Sequence, residues 1–291
     1  MMRALSLPGC ACRGAFQFAV MARLAEAGER FDLVAGASSG SICGAITVAG
    51  LSADGPTMWR SMAKTPVTSL GYLKGERSVF GMSVILRQAL ERYLPEERLH
   101  QTDTELLVAT TRAVPFAVGS FSSFLRRKTR AAEVTPPGAP PGLVIHSSRE
   151  RRDMHDVIVA SCYIPIVYAR PTWLDGELHV DGGAADNTLI DTLVNRGAEE
   201  ITVVTPYPEG VVARTIFAPE RPPEVPPHVR LRLIYPERPL RQKRFDFSPG
   251  PLEEALTMPH RITIIEATVR REPPPANDDM TSDTALRPTA S

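Results

Sequence analysis

The pentapeptide Gly36-Ala37-Ser38-Ser39-Gly40 constrains this chain more than any other stretch. It follows a short apolar run, Leu33-Val34-Ala35, and precedes a small-residue segment, Ser41 to Ile46, that reads as a helix. Strand, sharp turn and helix in that order make a nucleophile elbow when the turn reads G-x-S-x-G. The turn pushes the middle residue, Ser38, into a strained and accessible position. Gly36 and Gly40 leave room for the strand and the helix to pack closely. The helix begins just behind Ser38, so its free N–H groups and positive dipole end face any negative charge that develops there. The same five letters also occur as a glycine-serine turn without chemistry, so the rest of the chain decides their meaning.

Upstream, residues 3–7 form a short apolar strand, followed by the small-residue loop Gly9-Cys10-Ala11-Cys12-Arg13-Gly14. Ala15 to Ala27 has helical spacing, with Phe16, Val20 and Leu24 on one face and Gly28 closing it. A second strand starting at Phe31-Asp32 runs into the elbow. This β-α-β order predicts a parallel sheet in an α/β fold. Residues 52–78 read as helix with loops, Met82 to Tyr93 as an amphipathic helix stopped by Pro95, and Glu105 to Thr111 as a buried strand. Further on come a strand at 143–145, a helix at 154–162, a hairpin at 173–180 turning at Asp175-Gly176, and a helix at 188–196 closed by Gly197. Strands at 200–205 and 229–235 follow, and from Pro251 a final helical region, broken or kinked at Pro259. Residues 1–271 are expected to form one domain, and the polar, proline-bearing residues 272–291 a disordered tail.

Composition narrows the function. Of 291 residues 43% are hydrophobic, enough for a large core. The formal net charge is +0, so no global field recruits nucleic acid. The four cysteines make no disulfide framework, and Cys10-x-Cys12 has no second Cys or His pair at zinc spacing, so no metal or other cofactor is expected. No apolar run reaches the ~18 residues of a spanning helix, and the apolar start is too short for a signal segment. The expected location is cytoplasmic.

A serine that transfers acyl groups needs a base, oxyanion donors and a route for the acyl substrate. The late histidines His179, His228 and His260 lack any distinctive loop context and read as surface or strand residues. Asp181 stands at a strand end before Gly182-Gly183, where the chain can turn tightly and direct the carboxylate across to a neighbouring strand end; alone, Asp-Gly-Gly is an ordinary turn. The Gly9–Gly14 loop would lie beside Ser38 if the first two strands are neighbours, with its N–H groups available and Arg13 adding positive charge. Phe116, Phe121 and Phe124 precede the basic run 126–130, a pattern that suits peripheral contact with an anionic bilayer and equally suits a half-buried segment with a solvated end.

Together these motifs resemble the patatin-like phospholipases, which carry a glycine-rich oxyanion loop ending in a basic residue and glycine, then G-x-S-x-G, then D-G-G or D-G-A. Here they are Gly9 to Gly14, Gly36 to Gly40 and Asp181-Gly182-Gly183, with the block Ala160 to Pro165, the Asp175-Gly176 hairpin and Asp186-Asn187 in family order over residues 3–205. The resemblance implies a three-layer fold with a mostly parallel sheet between helices. It implies a Ser38–Asp181 dyad without histidine, an acyl-enzyme, and a phospholipid or lysophospholipid substrate. An aspartate with a pKa of about 3.9 is a weak base at neutral pH, so a desolvated Ser–Asp contact and strong oxyanion stabilisation must supply the activation. One departure stands out: Cys10 and Ala11 replace loop glycines, and a positive φ at either would add strain. That departure motivates the rival expectation, a catalytically weak lipid-binding or regulatory protein; an acyltransferase using the same dyad is the third.

Overall fold

A computed structural model describes residues 1–76, 78–113, 142–165, 168 and 172–266. The Phe-rich and basic stretch 116–130 and the tail 272–291 lie outside the described residues. Eleven described strands carry the architecture: β1 (Arg3–Leu7), β2 (Leu33–Gly36), β3 (Glu105–Arg112), β4 (Leu143–Ser147), β5 (Thr172–Leu174), β6 (Glu177–Asp181), β7 (Glu200–Val204), β8 (Val212–Ala213), β9 (Glu220–Arg221), β10 (Arg230–Pro236) and β11 (His260–Glu266). The helices that frame them are α1 (Gly14–Glu26), α2 (Ser39–Val48), α3 (Gly55–Lys64), α4 (Met82–Tyr93), α5 (Met154–Ser161), α6 (Ile190–Asn195) and α7 (Pro249–Thr257).

The fold is α/β with a mixed, mostly parallel central sheet. β10, β7, β1, β2 and β3 run parallel in that order, and antiparallel strands finish both sides. Successive side chains of a strand point to opposite faces, and the core divides accordingly. Leu5, Leu7, Val34, Leu106 and Val108 join the cluster under α1 to α5 and α7. Ala4, Leu33, Ala35, Leu107 and Ile201 join the cluster under α6, with its Ile190 and Leu193. Buried on both faces, the inner strands read as continuous apolar runs.

The pairing of β3 positions the site. β2 pairs β3 at Glu105 to Val108, β4 pairs it at Leu107 to Thr111, and β6 pairs it at Thr110 to Arg112. Strands that overlap along β3 must use opposite edges, so β4 lies opposite β2, and β6 opposite β4. β6 therefore shares the edge used by β2, just past the point where β2 turns into the elbow. This brings Asp181, paired with Thr110, to the turn that carries Ser38.

The region after Pro251 differs from the sequence expectation of a kinked final helix. α7 ends at Thr257, and His260–Glu266 is a strand pairing antiparallel with β10. Pro259 cannot extend a helix, and the β-branched run Ile262-Thr263-Ile264-Ile265 favours the extended chain beyond it. Among the described residues no helix is long and apolar enough to cross a membrane, and no cluster of three or more His, Cys, Asp or Glu side chains could hold a metal ion.

Candidate active site

The elbow is tight because two glycines allow it. A Cβ on Gly40 would stand 1.8 Å from the Leu7 carbonyl oxygen, and one on Gly36 would stand 2.5 Å from that of Gly40. Only hydrogen at these positions lets α2 start against the end of β1. Ser38 carries the turn at φ 52° and ψ −130°, a region that costs a non-glycine residue roughly 1–3 kcal/mol. Its N–H donates to Ser161 Oγ at 2.9 Å, and its carbonyl accepts from Ser41 Oγ at 2.6 Å. Helix α5 and the first turn of α2 thus hold the strained residue from two sides.

Asp181 ends β6 and is only 3% exposed. Its N–H donates to the Tyr163 carbonyl at 2.9 Å, and its own carbonyl accepts from Thr111 Oγ1 at 2.8 Å. Oδ1 accepts from the Gly183 N–H at 2.8 Å, while the buried Oδ2 has no hydrogen-bond partner. The Ser38 hydroxyl lies beside the carboxylate, close enough to favour its charged form, although no full hydrogen bond joins the two. Such contacts tighten in a substrate complex. Burial dominates: it pushes the carboxyl pKa up to about 7, against the smaller opposing effects of Ser38 and the Gly183 N–H. A carboxylate that titrates near neutrality is a far better base than a solvated one. Gly182 lets the chain turn away against β3, since a Cβ there would stand 2.1 Å from the Ala109 carbonyl oxygen. Gly183 packs against Asn187 and Ile216.

The loop after β1 faces Ser38, and its donors are largely committed. The Gly9 N–H donates to Asn187 Oδ1 at 2.8 Å, Cys10 N–H to Ser39 Oγ at 3.0 Å, and Cys12 N–H to the Arg244 carbonyl at 2.9 Å. Among the described residues no acceptor takes the N–H of Ala11 or of Ser39, and these are the donors available to an oxyanion. Ala11 has φ 51°, so the strained conformation foreseen for a non-glycine residue is realised there and not at Cys10, whose φ is −148°. Burial raises the Cys10 thiol to about 12, so it stays protonated and packs as a small side chain. All four cysteines are free and buried.

Arg13 and Gly14 do not line the cleft over Ser38. Arg13 turns its Nε to the Gln242 carbonyl at 2.9 Å, with its guanidinium over the Tyr207 ring. Gly14 opens α1 in contact with Ser39 and Trp59. Among the described residues no histidine lines the cleft. His179 bonds Thr110 Oγ1, as does His146, and His260 opens β11.

Two residues with defined roles escape a reading of the motifs alone. Asn187 accepts from the Gly9 N–H and donates Nδ2 to the carbonyls of Gly9 and Ala213 at 3.1 and 3.2 Å, clamping the loop to the segment after Asp181. Ser161 holds the elbow. Both lie in quoted blocks, Asp186-Asn187 and Ala160 to Pro165, but their partners lie 178 and 123 residues away in sequence.

Two cavities meet at Ser38. One, of about 230 Å³, contains Asp181, Asn187, Tyr207 and Arg244; the other, about 190 Å³, is lined by apolar side chains such as Ile42, Trp59, Met62 and Leu86. Ala11, Ile164 and Phe245 border both. A serine between a base and free N–H groups, at the mouth of an apolar chamber, is equipped to accept an acyl chain.

A family model for patatin-like phospholipases matches residues 5–194. No curated protein matches the chain. Among solved structures, VipD from Legionella pneumophila is similar at 16% sequence identity and a TM-score of 0.38, over 69% of this chain and 49% of VipD, so the chain spans about half the length of that protein.

Proposed function

The chain belongs to the patatin-like phospholipase family, a family of lipid acyl hydrolases, and from that premise we propose that it cleaves carboxylic esters of phospholipids or lysophospholipids through a Ser38–Asp181 dyad. Ser38 Oγ attacks the ester carbonyl while its proton passes to Asp181 Oδ2. The oxyanion forms against the N–H groups of Ala11 and Ser39. The intermediate collapses as Asp181 returns the proton to the departing alcohol, leaving an acyl-enzyme. Water, deprotonated by the same carboxylate, then releases the fatty acid and frees Ser38. The observation that carries this reading is the buried, unpartnered Oδ2 of a carboxyl titrating at about 7 beside the elbow serine.

The test is acyl release from a chromogenic ester, with fluorophosphonate labelling of the serine. Loss of both in Ser38→Ala, and of turnover in Asp181→Asn, is expected. Unchanged turnover in either variant sinks the dyad. One observation favours the second reading, a catalytically weak lipid-binding protein: Gly9 and Cys10 spend their N–H groups on side chains, and the remaining loop donor sits on the strained Ala11. Labelling of Ser38 contradicts that reading.

A further inference from the structure

Phe217 and Phe245 are 49% and 65% exposed, yet both border the cleft over Ser38. Each occupies the third position of a hydrogen-bonded turn: Ala218 N–H bonds the Thr215 carbonyl at 3.0 Å, and Asp246 N–H bonds that of Lys243 at 3.3 Å. Neither turn hangs loose. Arg244 donates Nη1 to the Ile216 carbonyl at 3.1 Å and so ties one turn to the other. The Ile216 N–H donates to the Gly183 carbonyl at 2.8 Å, and the Arg244 carbonyl accepts from Cys12. Gln242 is fully buried and bonds the Asp246 carbonyl at 2.9 Å. The fold thus presents two phenylalanine rings to water, at the rim of its most apolar opening, on turns anchored to the catalytic loops.

The charge beside these rings is positive. Residues 238–246 carry Arg238, Arg241, Lys243 and Arg244 against one acid, Asp246. Arg238 and Arg241 share Glu254, and Arg244 meets Glu220 at 3.3 Å. Lys243, exposed and close to Phe245 in the chain, has no salt-bridge partner among the described residues. Asp246 caps the following Ser248 N–H at 2.9 Å.

We propose that this rim docks on an anionic lipid surface, with Phe217 and Phe245 inserted among the acyl chains and Lys243 at the headgroups. Aromatic rings beside basic side chains suit the headgroup boundary of a bilayer, and the cleft then opens directly onto its lipid. The inference rests on the reading of that cleft as a lipid site. It places bilayer contact on residues beyond the 5–194 that match the family model.

The experiment uses the full chain carrying Ser38→Ala, so that binding is read without hydrolysis, sedimented with phosphatidylcholine vesicles with and without phosphatidylserine. Tighter binding to the phosphatidylserine vesicles is expected. Replacing both rings, Phe217→Ser with Phe245→Ser, is expected to weaken it at least about tenfold. Lys243→Glu, at an exposed position that leaves the fold intact, is expected to cost roughly tenfold on anionic vesicles only. Binding that neither change affects overturns the proposal, as does a dimer in solution that the phenylalanine substitutions abolish. Ester turnover by the unmutated chain without vesicle binding removes the docking surface and leaves the hydrolase reading standing.

Discussion

Replacing Asp181 by asparagine should disable the enzyme and stabilise the protein at once, and the second effect can be sized. The carboxyl is moved from 3.8 to about 7 by burial, a differential of ~4 kcal/mol between its charged and neutral forms. Because the folded pKa lies above the unfolded one, the contribution is fully present below about pH 4, where both states bind the proton. It is lost as pH rises through about 7 and the folded protein must hold a buried charge. The substituted asparagine has no such charge, its side-chain oxygen can still accept from the Gly183 N–H, and its amide can face Ser38. The stability of Asp181→Asn relative to the unmutated chain should therefore rise by ~4 kcal/mol between about pH 4 and about pH 8, or roughly 10 °C in melting temperature for a chain of this size. Urea unfolding of both proteins across that range reads the difference directly, and every other titrating group cancels. A gap that stays flat with pH refutes the reasoning, because burial would then not be what tunes Asp181. A gap that moves the other way would mean that the native state prefers the charge.

The same carboxyl gives kcat/KM on a soluble ester an acidic limb with an apparent pKa near 7, falling as pH drops and the base is protonated; a limb near 4 argues for a solvated carboxylate. Asn187→Ala strips three hydrogen bonds from the Gly9 and Ala213 backbone, so kcat should fall by about 10²-fold through misplacement of the loop, and a change confined to KM contradicts the clamp. Gly40→Ala drives a methyl into the Leu7 carbonyl at 1.8 Å and should yield no stable folded protein, as judged by circular dichroism and thermal melting. Ala11→Gly removes left-handed strain of about 1–2 kcal/mol and adds unfolded-state freedom of about 0.4–1 kcal/mol; a loss of stability in urea unfolding would contradict the positive φ at Ala11.

Much of the frame is readable from local pattern. Leu33 to Gly40 announces strand and elbow, Met82 to Tyr93 has helical spacing over its whole length, and Asp175-Gly176 marks a hairpin, because each signal lies within one element. What local pattern misses is tertiary. Asn187 reads as a turn residue until Gly9 arrives from far along the chain. Asp181 reads as an ordinary acid, with its base strength hidden, because burial beneath Tyr163, Thr111 and Gly183 appears in no neighbouring residue. The miss at His260–Glu266 is of another kind: its β-branched residues carry a strand signal, but the helical spacing just before them outweighs it when the two are read together.

The position of β1 has a consequence for the order in which the fold can be assembled. It is the earliest strand of the sheet in the sequence, yet it lies inside that sheet, with β2 on one edge and β7 on the other. Its second edge stays open until residues 200–204 have emerged from the ribosome. Cys12, in the loop that follows it, waits longer still, for the carbonyl of Arg244. A nascent chain that already contains Ser38, Asp181 and the whole family-matching stretch therefore still lacks part of its frame. Competence arrives late, only once Arg244 is in place, and a lipid-cleaving centre assembled on that schedule is withheld from membranes while most of the domain is still being translated.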